Sequence, residues 1–159
     1  MGDTDRSYGN LNQSGWIRAA GFLLTSDGTE ILPSAMEHQH AKTMSFTGVQ
    51  TDATHVIHVI RGATGTVRSF CAGSIIANTG DAEVEIDLLK NGVSILSAAK
   101  ITLDDSILAY ISEVAVIDDA TVIEDDVLTV DLTIDSGVYP AVVASGVFCE
   151  LRVDEKYKT

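Results

Sequence analysis

The chain has 159 residues, 45% of them hydrophobic and 21% charged, and a net charge of −13. That length holds one domain with a sizeable core, or a domain and an arm. The charge excludes a nucleic-acid binder, which would grip phosphates through Lys and Arg: residues 101–151 contain neither, against eleven Asp and Glu.

The first fifteen residues, MGDTDRSYGNLNQSG, are polar and lack the apolar core of a signal peptide. Met1-Gly2 opens like a myristoylation site, but Arg6 stands where Ser or Thr is needed. No apolar run approaches the ~18 residues of a membrane-spanning helix. The expectation is synthesis in a cytoplasm with no membrane partner. An apolar patch follows, WIRAAGFLL, with the only Trp. A turn at Ser26-Asp27-Gly28 and a break at Leu32-Pro33-Ser34 close it. Residues 1–42 read as an N-terminal arm. Trp16, Ile17, Phe22, Leu23 and Leu24 are its candidate contact residues, packing on a neighbouring subunit or a larger surface. The alternative is an edge strand or short hairpin of the same domain. Ser34–Lys42, SAMEHQHAK, reads as one helical turn or a loop.

From residue 43 onward the signal is β. His55–Arg61 and Thr66–Ala77 are strand-like around the Gly62–Gly65 turn. Ala82–Leu89 and Val93–Ala98 flank Lys90-Asn91-Gly92. Asn-Gly is a strong hairpin signal, because a type I′ turn needs positive φ at both central residues. Leu108–Ile117 reads as a further strand. In Val127–Ile134, Leu128, Val130, Leu132 and Ile134 alternate with polar neighbours. In Ser145–Val153, Val147, Cys149, Leu151 and Val153 do the same. Seven or eight short strands at this spacing predict an all-β fold, an antiparallel β-sandwich, jelly-roll-like, over residues 43–159, with an N-terminal extension.

Chemical constellations are thin. Glu37-His38-Gln39-His40 offers two imidazoles beside an acid, but without the spacing of a zinc motif. Parity with Val56 and Ile60 makes His58 a partly buried, hydrogen-bonded residue. Asp104-Asp105, Asp118-Asp119 and Asp125-Asp126 lack the pattern of a calcium loop and suit strand-end turns. Cys71 and Cys149 are too few for a disulfide framework; both take inward parity and read as buried thiols, with a bridge open if their strands are neighbours. No nucleophile elbow, P-loop, dinucleotide fingerprint or zinc-protease motif occurs. The expectation is a protein that binds rather than catalyses, with no catalytic residues, cofactor or metal.

Asp87-Leu88-Leu89-Lys90-Asn91-Gly92-Val93-Ser94-Ile95-Leu96, with the later Asp125-Asp126-Val127-Leu128-Thr129-Val130-Asp131, resembles a pattern in small β-sandwich domains of tailed-bacteriophage virion proteins. The likeness covers about residues 82–135, and it departs where relatives carry Gly before the turn Asp and this chain has Glu124-Asp125. The resemblance implies a head decoration (cement) protein, a head fibre or a tail fibre. A chain without coiled-coil heptads or collagen-like repeats favours decoration over a fibre. By analogy with that class it would be a homotrimer on the outer surface of the virion capsid, with the major capsid protein as partner. The alternative is a tail or head-fibre module binding host glycans or proteins. A calcium-dependent adhesion module is a third reading.

Overall fold

The computed structural model describes residues 37–48, 51–97, 99–138 and 140–156, and the backbone of Phe22–Leu23 and Glu30–Ile31. The chain forms two compact units, 1–33 and 34–159. In the first, strand β1 (Phe22–Leu23) pairs antiparallel with β2 (Glu30–Ile31). The side chains of Trp16, Ile17, Phe22, Leu23 and Leu24 lie outside the described residues.

The second unit holds β3 (Glu37–Ser45), β4 (Ala53–Val59), β5 (Thr64–Ile76), β6 (Glu83–Lys90), β7 (Val93–Ser94), β8 (Ile101–Leu103), β9 (Ser112–Val114), β10 (Thr121–Ile123), β11 (Val127–Asp135) and β12 (Ser145–Lys156). They form two antiparallel sheets, β10-β5-β12-β3 with β9 beside β5, and β4-β11-β6-β7 with β8 beside β6. Early strands pair with late ones: β3 with β12, β4 with β11, β5 with β9 and β10, β6 with β7 and β8. One folded ribbon therefore wraps into both layers, which is the jelly-roll topology expected from the strand spacing. The core lies between the sheets. Phe70, Val84, Ile86, Leu88, Leu128, Val130, Leu151 and Val153 fill it, each removed from water by the two-residue alternation of its strand.

The Asn-Gly hairpin forms as read, with φ of 51° at Asn91 and 84° at Gly92. Its polar residues lock it to the later motif. Val127 N–H donates to Asn91 Oδ1 at 2.9 Å, and Asn91 Nδ2 donates to Asp126 Oδ1 at 2.6 Å. Asp126 Oδ2 accepts from Ile123 N–H at 2.9 Å. Ser94 Oγ donates to the buried Asp87 at 2.7 Å, and Asp87 itself lies opposite Asp131. Lys90 pairs with Asp119, whose carboxyl the Lys90 and Thr121 hydrogen bonds hold down at about 2. Asp125 takes φ of 67°, a conformation that Asp tolerates better than most residues.

Three sequence expectations change. Within Ser34–Lys42, residues 37–42 are not a helical turn or loop: Glu37–Ser45 is a strand paired along its length with β12, so the boundary at 42/43 falls inside it. His40, Lys42 and Met44 turn half-buried faces inward, and this mixed alternation hides an edge strand. Leu108–Ile117 is strand only at Ser112–Val114, because the chain first crosses the end of the sandwich as a loop. Val93–Ala98 is strand only at Val93–Ser94. β8 and β10, three residues each, were too short to show a period.

Candidate docking surface

The described parts of the loops between residues 46 and 52, 77 and 82, 104 and 111, and 135 and 144 all emerge at one end of the sandwich. The register requires this: β3 ends at Ser45 opposite Phe148, β5 at Ile76 opposite Ser145, β8 at Leu103 opposite Val84, and β11 at Asp135 opposite Glu83. These loops contain five Asp and no Lys or Arg. The opposite end carries Arg61, Lys90 and Lys156 in its turns and termini.

Large apolar side chains stand in water around this end. Leu108 is 69% exposed, Tyr110 74% and Ile76 57%; Ile75, Ile111, Val138 and Val142 are also exposed. Scattered exposed apolar residues need no explanation, but a contiguous group does. The backbone brings two of these groups together: Tyr110 N–H donates to the Ser74 carbonyl at 2.8 Å, beside Ile75 and Ile76. A two-way bridge joins Thr79 to Val142. Two shallow hollows lie alongside. One, of about 280 Å³, is lined by Phe46, Ile75, Ile76 and Gly146; the other, of about 320 Å³, by Thr43, Cys71, Phe148 and Glu150. Gly73 allows the Ile111 backbone and the Phe148 ring to approach closely, since a Cβ there would strike both.

The loops are held firmly. Asn78 is buried; its Nδ2 donates to the Leu103 carbonyl at 2.5 Å and its Oδ1 accepts from Ala144 N–H at 2.6 Å. One side chain thus ties three loops. Asp104 accepts from the hydroxyl and amide of Ser106, which lower its pKa. Asp81 holds Val138 N–H, Asp135 holds Gly137 N–H and Asp52 holds Ile134 N–H, each at 2.8–2.9 Å. Tyr110 sits at φ of 65°, an unusual conformation for a bulky residue.

The most chemical-looking cluster is at the other end and joins the sheets. His58 Nε2 lies 2.5 Å from Glu155 Oε1, and His40 Nε2 lies 3.9 Å from the same oxygen. Glu155 Oε2 accepts from the amides of Gly62 at 2.5 Å and Arg61 at 2.9 Å. Burial pushes the Glu155 carboxyl up, but the His58 bond and the two amides together outweigh it, and the net shift is downward. Both carboxylate oxygens are therefore engaged in fixing β4 and its turn to β12. His58 is half-buried and hydrogen-bonded, as read. It does not share a face with Val56, because a bulge between the β4 and β11 partners leaves Val56 exposed.

Both cysteines are free. Their strands are neighbours, yet Cys71 lies opposite Glu150 and Cys149 opposite Ala72. Cys149 is buried, which pushes its thiol up to about 12, with a smaller contribution from Cys71. Cys71 is half-exposed on the outer face rather than inward, because the register of β5 slips by one residue between Val67 and Ser69.

No protein-family model and no curated protein matches the chain. Among solved structures it is similar to a chain of the cyanophage Pam1 capsid asymmetric unit, at 10% identity and a TM-score of 0.52, over 77% of this chain and 85% of that one. At such identity the likeness is one of fold. Weaker likenesses, which carry no argument, are to a chain of the disulfide-linked pili of Bacillus endospore appendages and to the Gt strain of infectious bursal disease virus. The first has 15% identity, a TM-score of 0.36 and coverage of 79% and 94%. The second has 12%, 0.29 and coverage of 90% and 41%.

Proposed function

We propose that the protein is a non-enzymatic structural component of a tailed-phage virion. It decorates the outer surface of the assembled head, binds the major capsid protein and stabilises the shell as a trimer. The observation that carries this reading is the combination at one end of the sandwich of exposed apolar side chains with loops braced by buried polar groups. Such an end is built to meet another macromolecule. The fold shared with a chain of a phage capsid asymmetric unit supports the viral setting, and so does the hairpin pattern at Asp87–Leu96.

Binding is the mechanism. Apolar contacts supply affinity, and three copies on one particle multiply weak contacts through effective concentration. The arm adds Trp16, Ile17, Phe22, Leu23 and Leu24 as contacts to the shell or to neighbouring subunits. Acidic side chains away from that end face solvent and keep the particle soluble.

Light scattering behind a sizing column tests the trimer. The expected mass is three chains, and a single-chain mass at all concentrations contradicts it. Removing residues 1–24 should leave the melting transition of the sandwich in place and abolish binding to heads. Undiminished binding by the shortened protein contradicts a role for the arm.

A further inference from the structure

We infer that the end of the sandwich that carries Ile75, Ile76, Leu108, Tyr110, Ile111 and Val142 is the face that sits on the shell, and that its complement is an apolar surface rimmed by Lys and Arg. The inference rests on the decoration reading and adds to it the docking face and the chemistry of the partner.

Shape comes first. Leu108, Tyr110, Ile111, Ile75, Ile76 and Val142 form a ridge of exposed apolar groups at this end, beside a hollow lined by Phe46 and Gly146. A ridge next to a hollow gives a partner both a surface to cover and a place to insert. Covering exposed Leu and Ile side chains removes apolar surface from water, and two or three such residues suffice for a binding centre.

Rigidity comes second. Asn78, Asp81 and Asp104 hold the loops through hydrogen bonds to backbone, and Tyr110 is fixed at positive φ by its bond to Ser74. Such preorganisation reduces the ordering cost of association.

Charge names the partner. Asp52, Asp81, Asp104, Asp105 and Asp135 lie in the loops of the same end, and these four loops have no cation. A partner with Lys or Arg around its apolar centre gains complementary potential and steering. A second copy docking by the same face would bring identical acids against them, with like-charge repulsion. The occupant is therefore a different, basic surface.

The test uses full-length protein and purified heads of the encoding virus that lack it. Leu108→Asp and Ile76→Asp probe the ridge, Leu108→Ser is a milder form, and Ile123→Asp at the opposite end is the control. All of these side chains are exposed, so the variants should melt as the wild type does. The inference expects about a tenfold or greater loss of head affinity for each ridge Asp variant, a smaller loss for the Ser variant and none for the control. It also expects wild-type binding to weaken as salt rises. Ridge variants that bind heads like the wild type overturn the inference and leave the decoration reading standing. Ridge variants that lose the wild-type mass in solution overturn it in favour of a second copy. Binding indifferent to salt overturns the basic rim. Wild-type protein that fails to bind heads overturns the decoration reading and this inference with it.

Discussion

Replacing Glu155 with Ala should lower the unfolding free energy by several kcal/mol, since each partly or fully buried donor left without its acceptor costs about 1–3 kcal/mol. Glu155 is only 4% exposed, and its two oxygens serve four groups: the His58 and His40 rings and the amides of Arg61 and Gly62. Truncation leaves the half-buried His58 without its acceptor and two amides without theirs. It also opens the seam where β4, at the edge of one sheet, meets β12 of the other. Glu155→Gln keeps the shape and the amide acceptors and should cost less. Denaturant unfolding of the three proteins checks this order.

The pH dependence has a definite sign. The folded-state pKa of Glu155 lies below its ordinary value of 4.5. Its stabilisation is therefore complete above that value and is lost as pH falls through the lower folded-state value. Wild-type protein should lose melting temperature more steeply than Glu155→Gln on acidification below about pH 4.5. Equal slopes contradict the assignment.

Asn78→Ala should cost about 2–3 kcal/mol. Two hydrogen bonds disappear, and the Leu103 carbonyl and Ala144 amide are left unsatisfied in a buried place, which is the expensive way to lose a bond. Asn78→Asp should also destabilise, since it retains the acceptor for Ala144 but loses the donor to Leu103. Because Asn78 braces the loops that carry the apolar ridge, the Ala variant should open that end to hydrogen exchange before the rest of the sandwich. Uniform exchange across the domain contradicts the local brace.

Much of the sandwich was legible because its central strands obey a simple alternation. Leu128, Val130 and Leu132 face the core as their spacing requires, and so do Val147, Cys149, Leu151 and Val153. Asn91-Gly92 fixed its own turn through backbone sterics alone. Reading failed where local register or long-range pairing decides. One-residue slips in β4 and β5 placed Val56 and Cys71 on faces that strict parity does not give. The inward residues of β3 are His, Lys and Met, so no hydrophobic period marks the strand. Leu108, Tyr110 and Ile111 looked like strand residues because they are apolar; the structure puts them in water.

The docking end was the least legible part. It is assembled from four loops separated by long stretches of chain, and its brace, Asn78, is one of many polar loop residues. The absence of Lys and Arg from residues 101–151 was its one visible trace. The motif that carries the phage resemblance turned out to be structural: Asp87, Asn91, Ser94 and Asp126 all hold backbone or one another. That explains why such a pattern would recur with a fold without reporting chemistry.

The most direct measurement of the central claim is the temperature at which purified heads lacking this protein open, with and without the full-length chain added. A decoration protein binds the intact shell in preference to the opened one, so by mass action it must raise that temperature. Saturable binding with a higher opening temperature is the predicted result. Heads that open at the same temperature, with the protein left in the supernatant, would contradict the account.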